Sequence, residues 1–278
     1  MEVLPANQFT FEQATEAYNM GRIDYLVPMP MSVARLREYA DKYDVDINHS
    51  FISVDDQRQV SGLLMLGVRE KRTWITRLGV GPNGRRQGTG QGLMQAAIDR
   101  SYELKAEKLW LEVIKNNDPA HRLFIRNGFT QTRELIVARR APTPMDVAVH
   151  NIANVSLLNR TQMFDLLPHR RLRPNWLNET ESLLNIGGLS GLMVELEDGS
   201  RGWVVYHVGL YKLENIVIEV LAGDLAEVTT AVLCALHNHH PMRDSVAANL
   251  LEDEQWEGFK KAGYFDAFRR IEMVKPLQ

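Results

Sequence analysis

The chain has 278 residues, of which 45% are apolar and 24% are charged, a composition typical of a folded globular protein. This length fits one large domain or two smaller ones, and the composition argues against disorder as the main state. With 32 basic and 35 acidic side chains the net charge is −3, which argues against a dedicated binder of nucleic acid or anionic membranes. The first 140 residues hold 20 basic and 17 acidic side chains, so a bound anion is expected in that half.

The cysteine content and the first residues bear on the cellular compartment. Cys234 is the single cysteine, so no disulfide can form within the chain, which fits a reducing environment. The first residues lack the basic start and apolar run of a signal peptide, and no apolar run has the length of a membrane span. We therefore expect a soluble cytoplasmic protein.

The first half of the chain mixes helix and strand patterns. Periodicity and capping residues predict helices at 10–20, 32–43, 91–104 and 119–127. Apolar runs between polar turns predict strands at 49–54, 60–68, 73–80, 108–114 and 129–138. Between the first two helices, residues 21–31 are apolar and contain two prolines, so we expect this segment to fold over another part of the domain.

The strongest chemical pattern is the glycine-rich stretch at 78–94, Leu-Gly-Val-Gly-Pro-Asn-Gly-Arg-Arg-Gln-Gly-Thr-Gly-Gln-Gly-Leu-Met. A predicted strand leads into it and a predicted helix leaves it. Gly88 and Gly90 allow successive backbone N–H groups to point into one concavity, toward which the helix also directs its positive end. Arg85 and Arg86 add permanent positive charge. This combination predicts a pyrophosphate-binding cradle made of backbone, without a metal ligand.

Two other phosphate-binding motifs fit this stretch less well. The glycines at 79–84 have the spacing of a dinucleotide fingerprint, but Pro82 and the arginines after it do not open a helix at the required place. A mononucleotide P-loop requires Gly-Lys-Ser or Gly-Lys-Thr, which this stretch lacks. The pattern Arg-x-x-Gly-x-Gly, here Arg85, Gly88 and Gly90, fits better.

The second half of the chain repeats the order of the first half in a weaker form. Two prolines at 139–144 predict a linker, after which we expect helices at 155–166, at 225–237 and from 256 onward, and strands at 191–196, 202–208 and 215–221. Residues 124–129 (Phe-Ile-Arg-Asn-Gly-Phe) correspond to 259–264 (Phe-Lys-Lys-Ala-Gly-Tyr) at an offset of 135 residues. The sequence therefore predicts an internal duplication, with domains at 1–140 and 141–278.

Together these motifs resemble those of the GNAT superfamily of acetyl-CoA-dependent N-acyltransferases. The resemblance is specific over 73–137, where it includes Leu-Gly-Val-Gly-Pro at 78–82, Arg-Arg-Gln-Gly-Thr-Gly at 85–90, Leu-Trp-Leu-Glu-Val at 109–113 and Leu-Phe-Ile-Arg-Asn-Gly-Phe at 123–129. It implies an α/β fold of two tandem GNAT-like domains, each a mixed, mostly antiparallel twisted sheet flanked by helices. It also implies that the first sheet opens after its fourth strand to admit a pantetheine arm.

The resemblance also assigns residues to acetyl-CoA, the implied acyl donor. The backbone of Leu78, Gly79 and Val80 would pair with the pantetheine amides, and Asn117 would contact the same arm. The pyrophosphate would lie near Arg85 and Arg86, on the N–H groups of Gln87, Gly88, Thr89, Gly90 and Gln91. Phe124 is also assigned to the coenzyme site, although many relatives have a proton-donating tyrosine in its place.

Two proton transfers accompany transfer of an acyl group to an amine. Glu112 lies mid-strand with Leu111 and Val113 on the opposite face, and the resemblance implies that it takes the amine proton. The alternative for Glu112 is a structural ion pair. Phe124 has no proton for the departing thiolate, so His121 or Tyr25 would donate one, or no protein acid is needed.

The second copy lacks the features that would bind a coenzyme. Residues 222–224 alone separate its strand from the next helix, without an arginine or a glycine pair, so we expect no coenzyme there. Three histidines, at 237, 239 and 240, end that helix, and without an acidic or cysteine partner at ligand spacing they favour structure over a metal.

The resemblance therefore implies an acyltransferase that moves the acetyl group of acetyl-CoA directly to a primary amine of a small molecule or a peptide. The alternative is a non-catalytic module that binds acyl-CoA and uses its second domain as an interaction surface. Phe124 favours the module and Glu112 favours the enzyme. We expect no metal, no nucleic-acid or membrane partner, and a monomer or a homodimer.

Overall fold

The computed structural model describes residues 1–26, 29–145 and 151–277, and the chain divides into two compact units. Unit 1 consists of Met1–Arg133 and Ile271–Gln278, and unit 2 of Glu134–Arg270. This division differs from a boundary at residue 140, because residues beyond 270 return to unit 1. Arg139 and Arg140, expected in a linker, belong to a strand and pair with Val246 and Ser245.

Unit 1 is built around a mixed sheet with helices beside it. Its elements are β1 (Glu2–Pro5), α1 (Phe11–Met20), α2 (Val33–Lys42), β2 (Phe51–Val54), β3 (Val60–Arg69), β4 (Arg72–Val80), α3 (Thr89–Glu103), β5 (Lys108–Ile114), α4 (Asp118–Arg126) and the start of β6 (Thr130–Arg140). Strands β1 to β4 pair antiparallel in chain order, and β5 pairs parallel with β4. The predicted helices and strands of the first half are confirmed; β1 was not predicted.

Capping side chains fix where the first two helices begin. Thr10 and Gln13 form a capping box at the start of α1, in which each side chain accepts a hydrogen bond from the other residue's backbone. Ser32 accepts a hydrogen bond from the backbone N–H of Arg35 and so begins α2. The two helices therefore start where the sequence predicts, and the segment between them is held at both ends.

Strands β4 and β5 separate partway along their length. Residues 72–75 pair with residues 108–111, and the parallel pairing ends there. A bulge in β4 follows at once, because the register against β3 shifts between Thr76 and Gly79. Arg77, within this bulge, has a φ of 54°, in the left-handed region that non-glycine residues seldom adopt. The separation and the bulge open the sheet at the level of Thr76.

The core of unit 1 draws on two distant parts of the chain. Leu93 and Ala97 of α3 are fully buried in the same cluster as Met273 and Leu277. The backbone N–H of Leu277 donates to the carbonyl of Glu107 over 2.9 Å. These contacts place the segment after residue 270 in the first unit, which explains the observed division of the chain.

Unit 2 has the same order of elements with changes in their lengths. After the second part of β6 it contains β7 (Ile152–Leu157), α5 (Arg160–Leu166), α6 (Thr180–Ile186), β8 (Leu189–Leu196), β9 (Arg201–Val208), β10 (Lys212–Ala222), α7 (Leu225–His239), β11 (Asp244–Leu250), α8 (Glu254–Lys261) and the first part of β12 (Phe265–Pro276). Antiparallel pairs join β7 to β8, β8 to β9, β9 to β10 and β11 to β6, while β10 and β11 pair parallel.

One predicted helix of unit 2 is partly wrong. Residues 155–157 pair with β8 as part of β7, and the helix begins only at Arg160. The cause is Asn159, which forms a capping box with Gln162 and so fixes the helix start. The sequence also missed α6 and β11, which carry no strong apolar periodicity.

Candidate active site

A cavity of about 880 Å³ lies in unit 1, between the opened end of β4 and the start of α3. Its walls come from the segment after α1, from β4, from the glycine-rich loop, and from β5 and α4: Gly21, Asp24, Tyr25, Leu26, Leu78, Gly79, Val80, Gly84, Arg85, Arg86, Gly88, Thr89, Gly90, Gln91, Val113, Asn116, Asn117, Pro119, Ala120, Leu123 and Arg126. Ten of the twelve predicted coenzyme residues are among them. Gln87 and Phe124 are not.

The start of α3 is open to an anion. Its N-cap is Gly88, with a φ of 80°, and no side chain accepts a hydrogen bond from the first N–H groups of the helix. A Cβ at Gly88 would meet no atom within 4 Å, so this backbone faces empty space. Because these N–H groups carry the positive end of the helix dipole, they suit a phosphate. The hydroxyl of Thr89, 1% exposed, also has no hydrogen-bond partner in the described part of the chain.

Three arginines bring positive charge to the same end of the cavity. Arg85 and Arg86 were predicted there, and Arg126 at the end of α4 was not. Some hydrogen-bond donors of Arg85 are already used by the protein itself. Its Nη2 donates to the carbonyl of Ile23 over 2.6 Å, and its Nε donates to that of Val80 over 3.2 Å. Arg126 lies one turn after Leu123 on α4, so helical spacing from the cavity-lining residues could have identified it.

The segment after α1 forms one wall, as the sequence led us to expect for an apolar segment rich in proline. Gly21, Asp24, Tyr25 and Leu26 line the cavity, while residues 27 and 28 lie outside the described residues. Gly21 packs directly on Gly79 of β4; a Cβ on Gly21 would come within 2.8 Å of the Gly79 Cα. Because neither Gly21 nor Gly79 has a side chain, this segment can lie directly against the strand.

Asn117 begins α4 at the other side of the cavity. Its side-chain oxygen accepts a hydrogen bond of 3.4 Å from the backbone N–H of Ala120, which makes it the N-cap of the helix. Asn117 therefore has a structural task in addition to the contact with the pantetheine arm that the family resemblance implies.

Glu112 lies just beyond Leu111, the last residue of β5 that pairs with β4. Its Oε2 accepts a hydrogen bond of 2.6 Å from the indole N–H of Trp74 on β4. Leu111 and Val113 point to the opposite face and are buried in the core with α3. Glu112 is half-buried and is not among the residues that line the cavity. Its carboxylate is therefore held at the opening of the strands, on the face away from α3.

Phe124 and the two candidate proton donors, His121 and Tyr25, occupy different surroundings. Phe124 is 5% exposed and packs against Phe129 with ring centroids 6.2 Å apart, so it belongs to the core rather than to the cavity. His121, on the same helix, is half-buried, and its Nε2 has no partner within the described residues. Tyr25 lines the cavity itself. Tyr25 is thus the predicted donor candidate that shares the cavity with the coenzyme residues.

No group of three or more His, Cys, Asp and Glu side chains in ranges 1–26, 29–145 and 151–277 is placed to hold a metal ion. None of the helices in those ranges is long and apolar enough to cross a bilayer.

Comparison with known proteins relates this geometry to one family. Residues 16–129 match the model of the acetyltransferase (GNAT) family, a range that includes the whole glycine-rich loop and the catalytic candidates. A search of curated protein sequences found no relative of this chain.

Solved structures with the same fold extend over both units. A GCN5-related N-acetyltransferase from Sphaerobacter thermophilus is 15% identical with a TM-score of 0.72, over 95% of this chain and 92% of that one. A tandem GNAT protein from the clavulanic acid biosynthesis pathway is 13% identical with a TM-score of 0.67, over 99% and 98%. A putative acetyltransferase from Pyrococcus horikoshii is 12% identical with a TM-score of 0.67, over 100% and 89%. At these identities the likeness concerns the fold alone.

Proposed function

Because residues 16–129 form a domain of the acetyltransferase (GNAT) family within a tandem GNAT fold, we propose that this protein moves the acetyl group of acetyl-CoA to a primary amine. The amine would belong to a small molecule or a peptide. In this reaction the amine nitrogen bonds to the acyl carbon, the carbon–sulfur bond breaks, and the coenzyme leaves as a thiol. The proton lost by the amine goes to a base or to water.

The observation that carries the proposal is the uncapped start of α3 inside the cavity of unit 1. Gly88 supplies no side chain, and the N–H groups behind it have no side-chain acceptor. Arg86 and Arg126 line the same cavity and offset the charge of an anion. A backbone cradle with flanking arginines suits a pyrophosphate, and the cavity volume of about 880 Å³ suits a ligand with an extended arm.

Residues of β4 and α4 would hold the remainder of the coenzyme. Leu78 lies in the bulge and Gly79 and Val80 follow it, where β4 no longer pairs with β5, and all three line the cavity. Their backbone groups are the ones we assign to the pantetheine amides, with Asn117 on the opposite side. The bound coenzyme would supply the activated acyl group as a thioester, and the protein would supply its position.

We assign Glu112 the removal of the amine proton, directly or through a water molecule. Its carboxylate lies where the two strands separate, and the hydrogen bond from Trp74 fixes its orientation. An attacking amine must be neutral, so a base close to this opening raises the reactive fraction. Tyr39 is not an alternative base, because burial raises its pKa to about 12 and its hydroxyl is hydrogen-bonded to Thr76 over 2.7 Å.

Release of free thiol from acetyl-CoA, measured with and without a panel of primary amines, tests the proposal. We expect thiol release that depends on both the enzyme and an amine, with one acetylated amine formed for each thiol. Binding of coenzyme A is measured in parallel by calorimetry. Tight binding without amine-dependent thiol release would favour the non-catalytic module, for which the core position of Phe124 is the supporting observation.

A further inference from the structure

Two arginines beside the opening of β4 have buried nitrogen atoms without a hydrogen-bond partner in the part of the chain that the structure describes. Arg22 follows α1, and Arg77 lies in the bulge of β4. The Nε and Nη1 atoms of Arg22 and the Nε of Arg77 are buried, and none of the three has a hydrogen-bond partner within the described residues. Both guanidinium groups lie over tyrosine rings.

The tyrosine rings hold both guanidinium groups in one place. The central carbon of Arg22 lies 5.0 Å from the ring centroid of Tyr18, and that of Arg77 lies 5.7 Å from the same ring. Arg22 also stacks on Tyr25 at 4.2 Å, and Arg77 on Tyr39 at 4.0 Å. Such stacking orients a planar guanidinium while the hydrogen-bond donors along its edge stay unused by the ring.

The tyrosines themselves are fixed. The hydroxyl of Tyr18 donates to the carbonyl of Met29 over 2.7 Å, and Tyr18 is 1% exposed. Tyr39 is fixed by its hydrogen bond with Thr76. The orientation of the two arginines is therefore imposed by the fold, before any ligand binds.

This arrangement is unfavourable for the folded protein alone. Buried donors on a charged group lose their hydration without a replacement, which destabilises the folded state. The left-handed backbone at Arg77 is a further unfavourable contribution. Backbone strain and unsatisfied donors of this kind concentrate where a ligand completes the arrangement.

The two arginines adjoin the cavity through neighbouring residues, although neither of them lines it. Arg22 stacks on Tyr25, which lines the cavity, and Arg77 immediately precedes Leu78, which lines it as well. Arg77 stacks on Tyr39, whose ring centroid lies 4.8 Å from that of Tyr43. Tyr43 in turn lies 6.5 Å from Trp74, which donates the hydrogen bond to Glu112. The arginines and the assigned base therefore lie on the same side of the opened strands, where an acceptor amine must approach.

We propose that Arg22 and Arg77 bind a carboxylate of the acceptor, so that the substrate is an amine that carries a carboxylate near its reacting nitrogen. This inference rests on the proposed acetyl transfer. The planar fork of each guanidinium matches the two oxygens of a carboxylate, which would satisfy the donors that lack a partner. An amino acid or a peptide with an acidic group beside its amine meets this description.

The test compares matched amines with and without the carboxylate. Glycine, β-alanine and 4-aminobutanoate are each paired with their carboxamide, and rates are expressed per neutral amine to remove differences in amine ionisation. We expect kcat/KM for at least one carboxylate to exceed that of its carboxamide by about 10- to 100-fold, the range of a charge-assisted hydrogen-bonded pair. Equal values throughout the panel would overturn the proposal, and a preference for aminoalkylphosphonates would overturn the carboxylate as the ligand.

Variants of the two arginines locate the effect. Arg77→Asn keeps a residue that tolerates the left-handed backbone, as Asn215 does with a φ of 54° in the bulge of β10. Arg22→Met keeps the length of the side chain without its charge. Each variant should lower kcat/KM for the carboxylate about 10- to 100-fold and that for the carboxamide less than twofold, with unchanged coenzyme affinity.

Arg37→Met is the matched control, because Arg37 also stacks on an aromatic ring of unit 1, that of Phe11 at 4.0 Å, away from the cavity. It should change neither rate. If Arg77→Asn and Arg22→Met lower kcat/KM equally for the carboxylate and for its carboxamide, the arginines do not bind the carboxylate and the proposal fails. If no amine of either kind accelerates thiol release, the acetyl transfer itself is wrong, which is a different result.

Discussion

The two units place a helix in the same position after a strand that leaves its parallel partner, yet they treat the start of that helix in opposite ways. In unit 1 the N-cap is Gly88 and no side chain caps the helix. In unit 2 the N-cap is Asp224, whose carboxylate accepts a hydrogen bond from the N–H of Glu227. The start of α7 thus has a carboxylate of its own chain as its anion, whereas the start of α3 remains open to a ligand.

The gap between the two parallel strands also differs between the units: in unit 2, side chains of the chain itself bind to the strands beside the gap. Strands β10 and β11 pair only at 212–213 with 244–245, so this sheet also opens. In unit 2, however, Asn178 donates to the carbonyl of Ala248 on β11 over 2.9 Å, and Gln255 donates to that of Ile218 on β10 over 3.3 Å. One fold can therefore keep its gap open for a ligand or fill it with its own side chains.

The connection between strand and helix accounts for the difference. Residues 81–88 lie between β4 and α3, whereas Gly223 and Asp224 alone connect β10 to α7. Gly223 has a φ of 100°, and a Cβ there would come within 2.3 Å of the Ser200 hydroxyl oxygen. This short turn leaves no room for a phosphate, so the contrast between the units predicts that only the first binds coenzyme.

The largest expected effect is complete loss of coenzyme binding on Gly88→Val. A side chain there would occupy the space that we assign to the pyrophosphate, and unit 2 offers no second site. Calorimetry should give one coenzyme A per chain for the wild type and none for Gly88→Val. Gly199→Val is the control, because Gly199 in unit 2 has a similar φ of 86° and equally open surroundings. Two coenzyme sites per chain, or unchanged coenzyme affinity in Gly88→Val, would contradict the expectation that only unit 1 binds coenzyme at Gly88.

A second large effect concerns the base. Glu112→Gln should lower turnover about 100-fold or more, because a positioned general base contributes about that factor. The hydrogen bond from Trp74 can persist to the amide oxygen, so the fold and the coenzyme affinity should change little. The loss of turnover should be smaller at high pH, where the amine is already deprotonated without a general base. Glu219→Gln on β10 of unit 2 should leave turnover within about twofold; equal rates for wild type and Glu112→Gln at neutral pH would move the base elsewhere.

An intermediate effect is acid sensitivity of unit 2 through His237. Burial lowers the pKa of His237 to about 3, with the charge of Arg140 as a further cause. Its Nε2 lies 3.0 Å from the Tyr264 hydroxyl. Because the unfolded histidine has its ordinary pKa of about 6.5, stability is fully present above that pH and is lost as pH falls toward 3.

Hydrogen exchange of the α7 amides at pH 7.5 and pH 5 measures this loss. Between these values the free energy of unfolding should fall about 2 kcal/mol more in the wild type than in His237→Gln, which carries no titrating ring. Amides of α3, in the first unit, provide the internal reference. An identical pH response of wild type and variant at α7 would exclude His237 as the cause.

The smallest expected effect comes from removal of the N-cap side chain of α7. Asp224→Ala removes the side chain that satisfies the start of α7 and should lower the stability of unit 2 by about 1 kcal/mol. It should not create a coenzyme site, because the turn at Gly223 remains short. Denaturant unfolding measures the first expectation and calorimetry the second. Coenzyme binding to unit 2 of this variant would show that the cap, rather than the turn, excludes the ligand.

Local chemistry made most of unit 1 predictable. Ser32 marked the start of its helix by residue type, and Gly88 marked the turn from β4 into α3, because both positions depend on their near neighbours in sequence. The tandem GNAT fold was predicted on the same local motifs. The helix predicted at 155–166 was wrong at its start because Asn159 was not recognised as a cap.

Long-range contacts were out of reach of the sequence. Arg22 and Arg77 are far apart in the chain, and only the bulge of β4 and the packing of Gly21 on Gly79 bring them to one ring. Arg126 was missed because α4 carries several charged residues and nothing local distinguishes the one that faces the cavity. Phe124 was assigned to the coenzyme by resemblance, whereas its burial depends on Phe129 and the rest of the core.

The return of residues 271–277 to unit 1 has a consequence for how the protein is made. Glu272, 2% exposed, is held in unit 1 by Arg133 over 2.9 Å and by Thr132 over 2.7 Å. These partners are separated by about the whole of unit 2 in the order of synthesis. A ribosome therefore completes the second unit before the first can close its core, because that core requires residues 271–277.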